Sequence, residues 1–117
     1  MYCINYQERE EQEVNFPGSR NVTVRWLVGR RTGAKNYAMR MFNIGPGGII
    51  PIHTHPEEHE IFVLEGTAKL LGDFEGPAKK DDVIFVPSEA PHGYDNTEGN
   101  GNFRFICVIP LLENNGD

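Results

Sequence analysis

The chain has 117 residues, 38% of them hydrophobic and 24% charged, and a formal charge of −6. That length supports one domain with one core. The acidic balance argues against a nucleic-acid surface, since Arg30-Arg31 and Lys79-Lys80 are isolated pairs beside turn residues. No apolar run reaches the length of a membrane span, and Met1-Tyr2-Cys3-Ile4-Asn5 lacks the basic and apolar regions of a signal peptide. A cytoplasmic location is expected, with Cys3 and Cys107 as reduced thiols.

Residues 1–20 are polar and acidic, and read as an N-terminal extended arm. The main body, expected over 21–112, starts with Val22, Val24, Trp26 and Val28 in alternation, a strand that ends at Gly29. Arg30 to Gly33 is a loop. Tyr37 to Ile44 is a second strand, with Ala38, Arg40 and Phe42 on one face and Met39 and Met41 on the other. Gly45-Pro46-Gly47-Gly48 predicts a tight turn between strands, followed by Ile49 to His53. A phosphate cradle is excluded there, because Ile49-Ile50-Pro51-Ile52 is β-branched and proline-interrupted and does not open a helix. Further strands are expected at Glu60–Leu64, Thr67–Leu71, Asp82–Pro87 and Phe103–Leu112, with a hairpin loop over 72–76 and an Asn- and Gly-rich loop over 96–102. Residues 113–117 read as a flexible tail. No segment has sustained helical periodicity, so the fold class is all-β, a sandwich or a barrel.

The chemistry concentrates in His53-Thr54-His55-Pro56-Glu57-Glu58-His59, which holds three of the four histidines. On a strand His53 and His55 project to the same side one pleat apart, and two imidazoles so placed reach one metal ion. After the Pro56-Glu57-Glu58 turn, an antiparallel strand would bring His59 back toward that pair. A solvated His-rich loop is the competing reading, but these histidines sit at strand edges within apolar sequence. On the last strand Phe103, Phe105, Cys107 and Ile109 share a face opposite Arg104, Ile106 and Val108. An arginine is rarely buried without a partner, so Phe105 and Cys107 are expected to form the inner wall of a pocket near the metal. Cys107 is read there as a small buried residue and not as a nucleophile.

These residues resemble the cupin superfamily, double-stranded β-helix (jelly-roll) barrels with a metal in the mouth. The first cupin motif is matched by Gly47, His53, His55, then His59 or Glu60, and Gly66. The second is matched by Pro87, His92 and Asn96, with Asp81 and Glu89 where the motif carries glycines. His59 and Glu60 face opposite ways on one strand, so only one enters the barrel. The motif's spacing from Gly66 selects His59, which turns Ile61 and Val63 inward and Glu60, Phe62 and Leu64 outward. His59 to Leu64 and Cys107-x-Ile109-Pro110 are similar to the small single-domain cupins with a four-histidine manganese site. That resemblance implies one divalent metal on His53, His55, His59 and His92. Manganese is the metal implied, although imidazole alone also suits iron, zinc, nickel or copper. It further implies an open site and a small-molecule ligand in the barrel, and hence a manganese- or iron-dependent, dioxygenase-like oxidoreductase. The alternative is a non-catalytic module that binds a metal and a small ligand as sensor or store. A homodimer through the outer face around Phe62 and Leu64 is expected.

Overall fold

The computed structural model describes all 117 residues. Nine strands succeed one another: β1 (Gln12–Glu13), β2 (Arg20–Val28), β3 (Tyr37–His53), β4 (His59–Glu65), β5 (Thr67–Gly72), β6 (Gly76–Lys79), β7 (Val83–Val86), β8 (His92–Asn96) and β9 (Phe103–Pro110). The only helical pieces are 3₁₀ turns at Tyr6–Glu8 and Arg30–Thr32. All pairings are antiparallel, in the order β6-β5-β8-β3-β9-β4-β7, with β2 on β3 and β1 on β2. The single sheet curls on itself as a jelly-roll β-barrel. No helix is long and apolar enough to cross a membrane.

Period-two alternation builds the interior. On β9, Phe103, Phe105, Cys107 and Ile109 are buried, while Arg104 stays at the surface and pairs with Glu65 at 3.2 Å. On β4, His59, Ile61 and Val63 are buried and Glu60 and Phe62 are exposed. Together with Ile44, Ile50 and Tyr94 the buried apolar residues form one contiguous core. Each inward aliphatic or aromatic side chain contributes roughly 1.5–3 kcal/mol on leaving water.

Two expectations are corrected. The Gly45–Gly48 segment does not separate two strands but bends one. β3 runs through it, and its pairing with β2 jumps from Val22↔Ile44 to Arg20↔Ile49. Before the bend β3 pairs with β9, and after it with β8. Glycine permits this because Gly47 takes a φ of +78° and Gly48 packs against the carbonyls of Arg20 and Gly45. The Asn96 side-chain amide, 2% exposed, donates to the carbonyls of Ile44, Gly45 and Gly101 and locks the bend. Secondly, β4 does not return alongside β3, because β9 lies between them. Residues 54–58 instead cross from the end of β3 to the start of β4.

The N-terminal arm folds back on its own chain. Gln12 and Glu13 pair with Val24 and Thr23, Arg9 Nε donates to the carbonyl of Leu27 at 3.1 Å, and Tyr6 lies over Arg104. Residues 113–117, expected to be flexible, lie against the Arg30 turn, whose guanidinium donates to the carbonyls of Leu112 and Asn115.

Asp81 and Glu89, which occupy glycine positions of the second motif, have φ values of +75° and +67°. Both turns therefore keep the left-handed backbone that favours glycine, with side chains that resist it. Glu89 is exposed, and its backbone N–H donates to the carbonyl of His55 at 2.9 Å, a bond that glycine preserves. Glu89→Gly should then raise stability by about 0.5–1 kcal/mol, relief of strain exceeding the added unfolded-state entropy. Chemical denaturation measures this, and a loss of stability would contradict the strain.

Candidate metal centre

Four histidines meet at one end of the barrel from four different segments. His53 ends β3, His55 lies in the 54–58 crossing, His59 opens β4 and His92 opens β8. His53 and His92 are paired directly across the β3–β8 ladder. The crossing that carries His55 is tied to the loop before His92. Ser88 Oγ donates to the carbonyl of Pro56 at 2.6 Å, and Glu89 N–H to that of His55. Ring centroids lie 4.3 Å apart for His53 and His92, 4.7 Å for His55 and His92, and 4.2 Å for His55 and His59.

The backbone sets the tautomers. Nδ1 of His53, His55 and His92 lies 2.8, 2.9 and 2.9 Å from the carbonyls of Pro51, Glu57 and Ala90. A carbonyl oxygen only accepts, so each Nδ1 carries the proton and each Nε2 keeps a lone pair. Ligand atoms of these three residues all lie within 4.8 Å of one another. Nε2 of His55 and of His92 are 3.2 Å apart, so two lone pairs face each other. Two nitrogens bound to one ion at about 2.1 Å each sit roughly 3 Å apart. Three oriented, convergent imidazoles thus form a group that fits a metal ion, and the Nδ1–carbonyl bonds supply the orienting contacts such ligands use.

His59 differs. It is buried beside the trio and stacked on His55, but its Nδ1 has no partner and its Nε2 faces Nη2 of Arg40 at 3.4 Å. Glu60 points to solvent on the other side of β4. Burial, followed by the Arg40 charge, holds the His59 pKa down to about 2. Burial chiefly, with the His53 charge, holds His92 down to about 4. His55 is lowered by burial and then by His53. At neutral pH these imidazoles are uncharged, the form that binds metal.

Beside the histidines lies a cavity of about 440 Å³, walled by Trp26, Phe42, Ile50, Tyr94, Phe105 and Ile109. The arm contributes Val14 and Phe16, whose ring sits 4.7 Å from that of His53. Phe105 lines this cavity and stacks on Phe42 at 5.2 Å. Cys107, expected on the same wall, lies behind it, fully buried, with Sγ 3.3 Å from Nη2 of Arg40. Both cysteines are free. Burial raises the thiol pKa, which suits a core residue. Residue pattern does not single out Arg40, Trp26, Tyr94 or the arm as parts of a site, although strand parity does set Arg40 beside Ala38 and Phe42. A polar groove of about 580 Å³ around Gly66, Lys69 and Asp95 contains no histidine.

A family model described as a cupin domain matches residues 40–109. The chain belongs to the cupin family. Among solved structures, this cupin is similar to the polyketide cyclase RemF from Streptomyces resistomycificus, at 29% identity and a TM-score of 0.90. That match covers 99% of this chain and 83% of the other. It is also similar to a predicted oxalate decarboxylase from Thermotoga maritima, at 25% identity and a TM-score of 0.81, covering 95% and 100% of the two chains. A sugar phosphate isomerase of the cupin superfamily from Silicibacter pomeroyi shares the fold at 18% identity and a TM-score of 0.81, covering 95% and 76%. No curated protein matches.

The depressed imidazoles carry a pH signature. Unfolded histidines take up protons below about pH 6.5, whereas His92 and His59 in the folded cupin resist until about 4 and about 2. The stabilisation is therefore fully present above about pH 6.5 and is lost as pH falls toward the folded values. Each such group removes at most about 1.4 kcal/mol per pH unit across that window, and solvent screening at the partly open site reduces this. Chelator-treated protein should melt several degrees lower at pH 5 than at pH 7, with a smaller fall in His59→Leu. A melting temperature that holds or rises on acidification would contradict this.

Proposed function

We propose that this cupin is a metal-dependent enzyme that takes a flat, carbonyl-rich organic molecule into the aromatic cavity and closes a ring on it. The observation that carries the reading is the placement of three convergent imidazoles on the edge of a 440 Å³ apolar, aromatic cavity. A cavity of that size accepts a ligand of one or two fused rings and is far larger than a two-carbon acid needs. RemF, the structural relative at 29% identity, is named as a polyketide cyclase, and a polyketide presents this combination of flat carbon skeleton and repeated carbonyls.

The residues divide the work. His53, His55 and His92 would hold a divalent ion, with His59 as the fourth imidazole once it turns from Arg40. Manganese is the first candidate and iron the second. Bound there, such an ion would supply Lewis acidity toward a 1,3-dicarbonyl, making the carbon between the carbonyls easier to deprotonate. Trp26, Phe42, Tyr94 and Phe105 supply faces on which a planar chain can stack and so hold its ends together. Val14 and Phe16 of the arm cover the cavity and exclude water. The balanced reaction is an intramolecular aldol condensation: a carbon–carbon bond forms, two protons and a carbonyl oxygen leave as water, and no oxidant is consumed.

A dioxygenase-like oxidoreductase is the second reading, supported by convergent imidazole ligands of a kind that suits iron. One experiment separates the two. The manganese- or iron-loaded protein is incubated with an aryl-capped 1,3,5-triketone, with and without dioxygen, and products are weighed by mass spectrometry. Ring closure predicts loss of one water at the same rate in both atmospheres, abolished by His55→Ala. Oxygen uptake with a matching mass gain would establish the oxygenase instead. Tight binding with no product would identify a non-catalytic binding module.

The expected homodimer is also proposed. β7 is the edge of the sheet, and Phe62, Val83 and Phe85 lie exposed together on β4 and β7. The arm covers β2 and leaves this edge open. A second copy of the same edge would bury it. Phe62→Lys combined with Phe85→Lys should shift the sedimenting species from dimer to monomer, and a wild-type monomer at high micromolar concentration would contradict the proposal.

A further inference from the structure

The cavity holds a cation that the protein leaves without a counter-charge. Arg40, on β3, lines the cavity with its guanidinium 4.8 Å from the Phe42 ring centroid and 5.4 Å from that of Trp26. The ion pairs between charged side chains are Arg25 with Glu11 and Arg104 with Glu65, so none involves Arg40. Its only hydrogen-bond partners are weak or ambiguous ones, Cys107 Sγ at 3.3 Å and His59 Nε2 at 3.4 Å. Its Nε is buried with no partner at all.

Arginine stays charged and offers five donors in a planar fork. Removing such a group from water is costly unless an anion answers it. The chain has 17 acidic residues, yet Glu57 is the single carboxylate on this cavity. Glu57 is engaged elsewhere, accepting from Asn115 Nδ2 at 2.7 Å. Tyr94 packs beside Arg40. It lines the same cavity, is 4% exposed, and its hydroxyl has no hydrogen-bond partner. An unpaired cation thus stands beside neutral imidazoles that would leave a metal's full positive charge in place.

We propose that Arg40 binds an anionic oxygen of the ligand, so that the molecule entering the cavity carries a carboxylate or an ionised enol or phenol. The proposal rests on reading the cavity as the ligand site. The guanidinium takes the anionic group through its Nη donors, and the aromatic faces hold the carbon skeleton. Ligand charge, and not only ligand shape, then sets specificity.

The test uses a planar aromatic pair that differs in one charge, 1-hydroxy-2-naphthoate and its methyl ester. Each is titrated calorimetrically into manganese-loaded wild-type, Arg40→Gln and Arg40→Lys proteins. Wild type should bind the carboxylate about tenfold or more tightly than the ester. Arg40→Gln should lose at least about tenfold for the carboxylate while binding the ester within about twofold of wild type. Arg40→Lys should keep part of the preference. Retained ester affinity, metal content and melting temperature in Arg40→Gln show that the cavity is intact. An unchanged carboxylate affinity in an intact Arg40→Gln protein would overturn this proposal alone. If wild type binds neither compound, the cavity is not an aromatic ligand site, and both readings fall.

Discussion

The site depends on three hydrogen bonds from imidazole to backbone. Donation from Nδ1 of His53, His55 and His92 to the carbonyls of Pro51, Glu57 and Ala90 leaves three Nε2 lone pairs turned toward a common volume. Facing lone pairs repel in a low-dielectric interior, so this arrangement is costly without a cation and favourable with one. Much of the surrounding fold serves to hold those three carbonyls still. The bend in β3 sends its second half along β8 and sets His53 across from His92. The Asn96 amide fixes the bend, and the contacts of Ser88 and Glu89 fix the crossing that carries His55.

On the other side of the histidines the barrel changes character. Most wall residues there are aromatic or branched aliphatic, and of the two charged ones Glu57 accepts from Asn115 while Arg40 has no protein anion. On the reading proposed above, a largely apolar cavity with a half-buried, unpaired cation and a histidine edge that can take a metal would favour a molecule that is flat, oxygen-bearing and negative. The N-terminal arm belongs to the same design. It pairs with β2 as a short strand and delivers Phe16 onto His53.

Much of this is legible in the residues. The histidine cluster, the alternation on β4 and β9, and the inward turn of Phe105 come from residue spacing and strand parity, and the burial pattern agrees with that parity. Other features are not legible, for physical reasons. β8, His92-Gly93-Tyr94-Asp95-Asn96, is poor in strand formers and is a strand because β3 and β5 enclose it. Gly45–Gly48 has turn composition, but glycine serves a bend within a strand as well as a turn between strands. Arg40 is hidden by the rule that correctly sends Arg104 outward, since composition gives no sign of an inward arginine without a carboxylate partner. Asp81 and Glu89 look like losses of motif glycines, yet the backbone there keeps the glycine conformation at the expense of strain.

The central claim is that imidazole nitrogens of His53, His55 and His92, joined by His59, hold one metal ion beside the cavity. X-ray absorption at the metal edge tests it most directly, on untagged protein loaded with one equivalent of manganese. The account predicts one ion per chain and multiple-scattering features of three or four imidazoles. It also predicts loss of one imidazole in His59→Ala and no change in Glu60→Ala. A first shell made of oxygen alone, or a spectrum unchanged in His55→Ala, would contradict it.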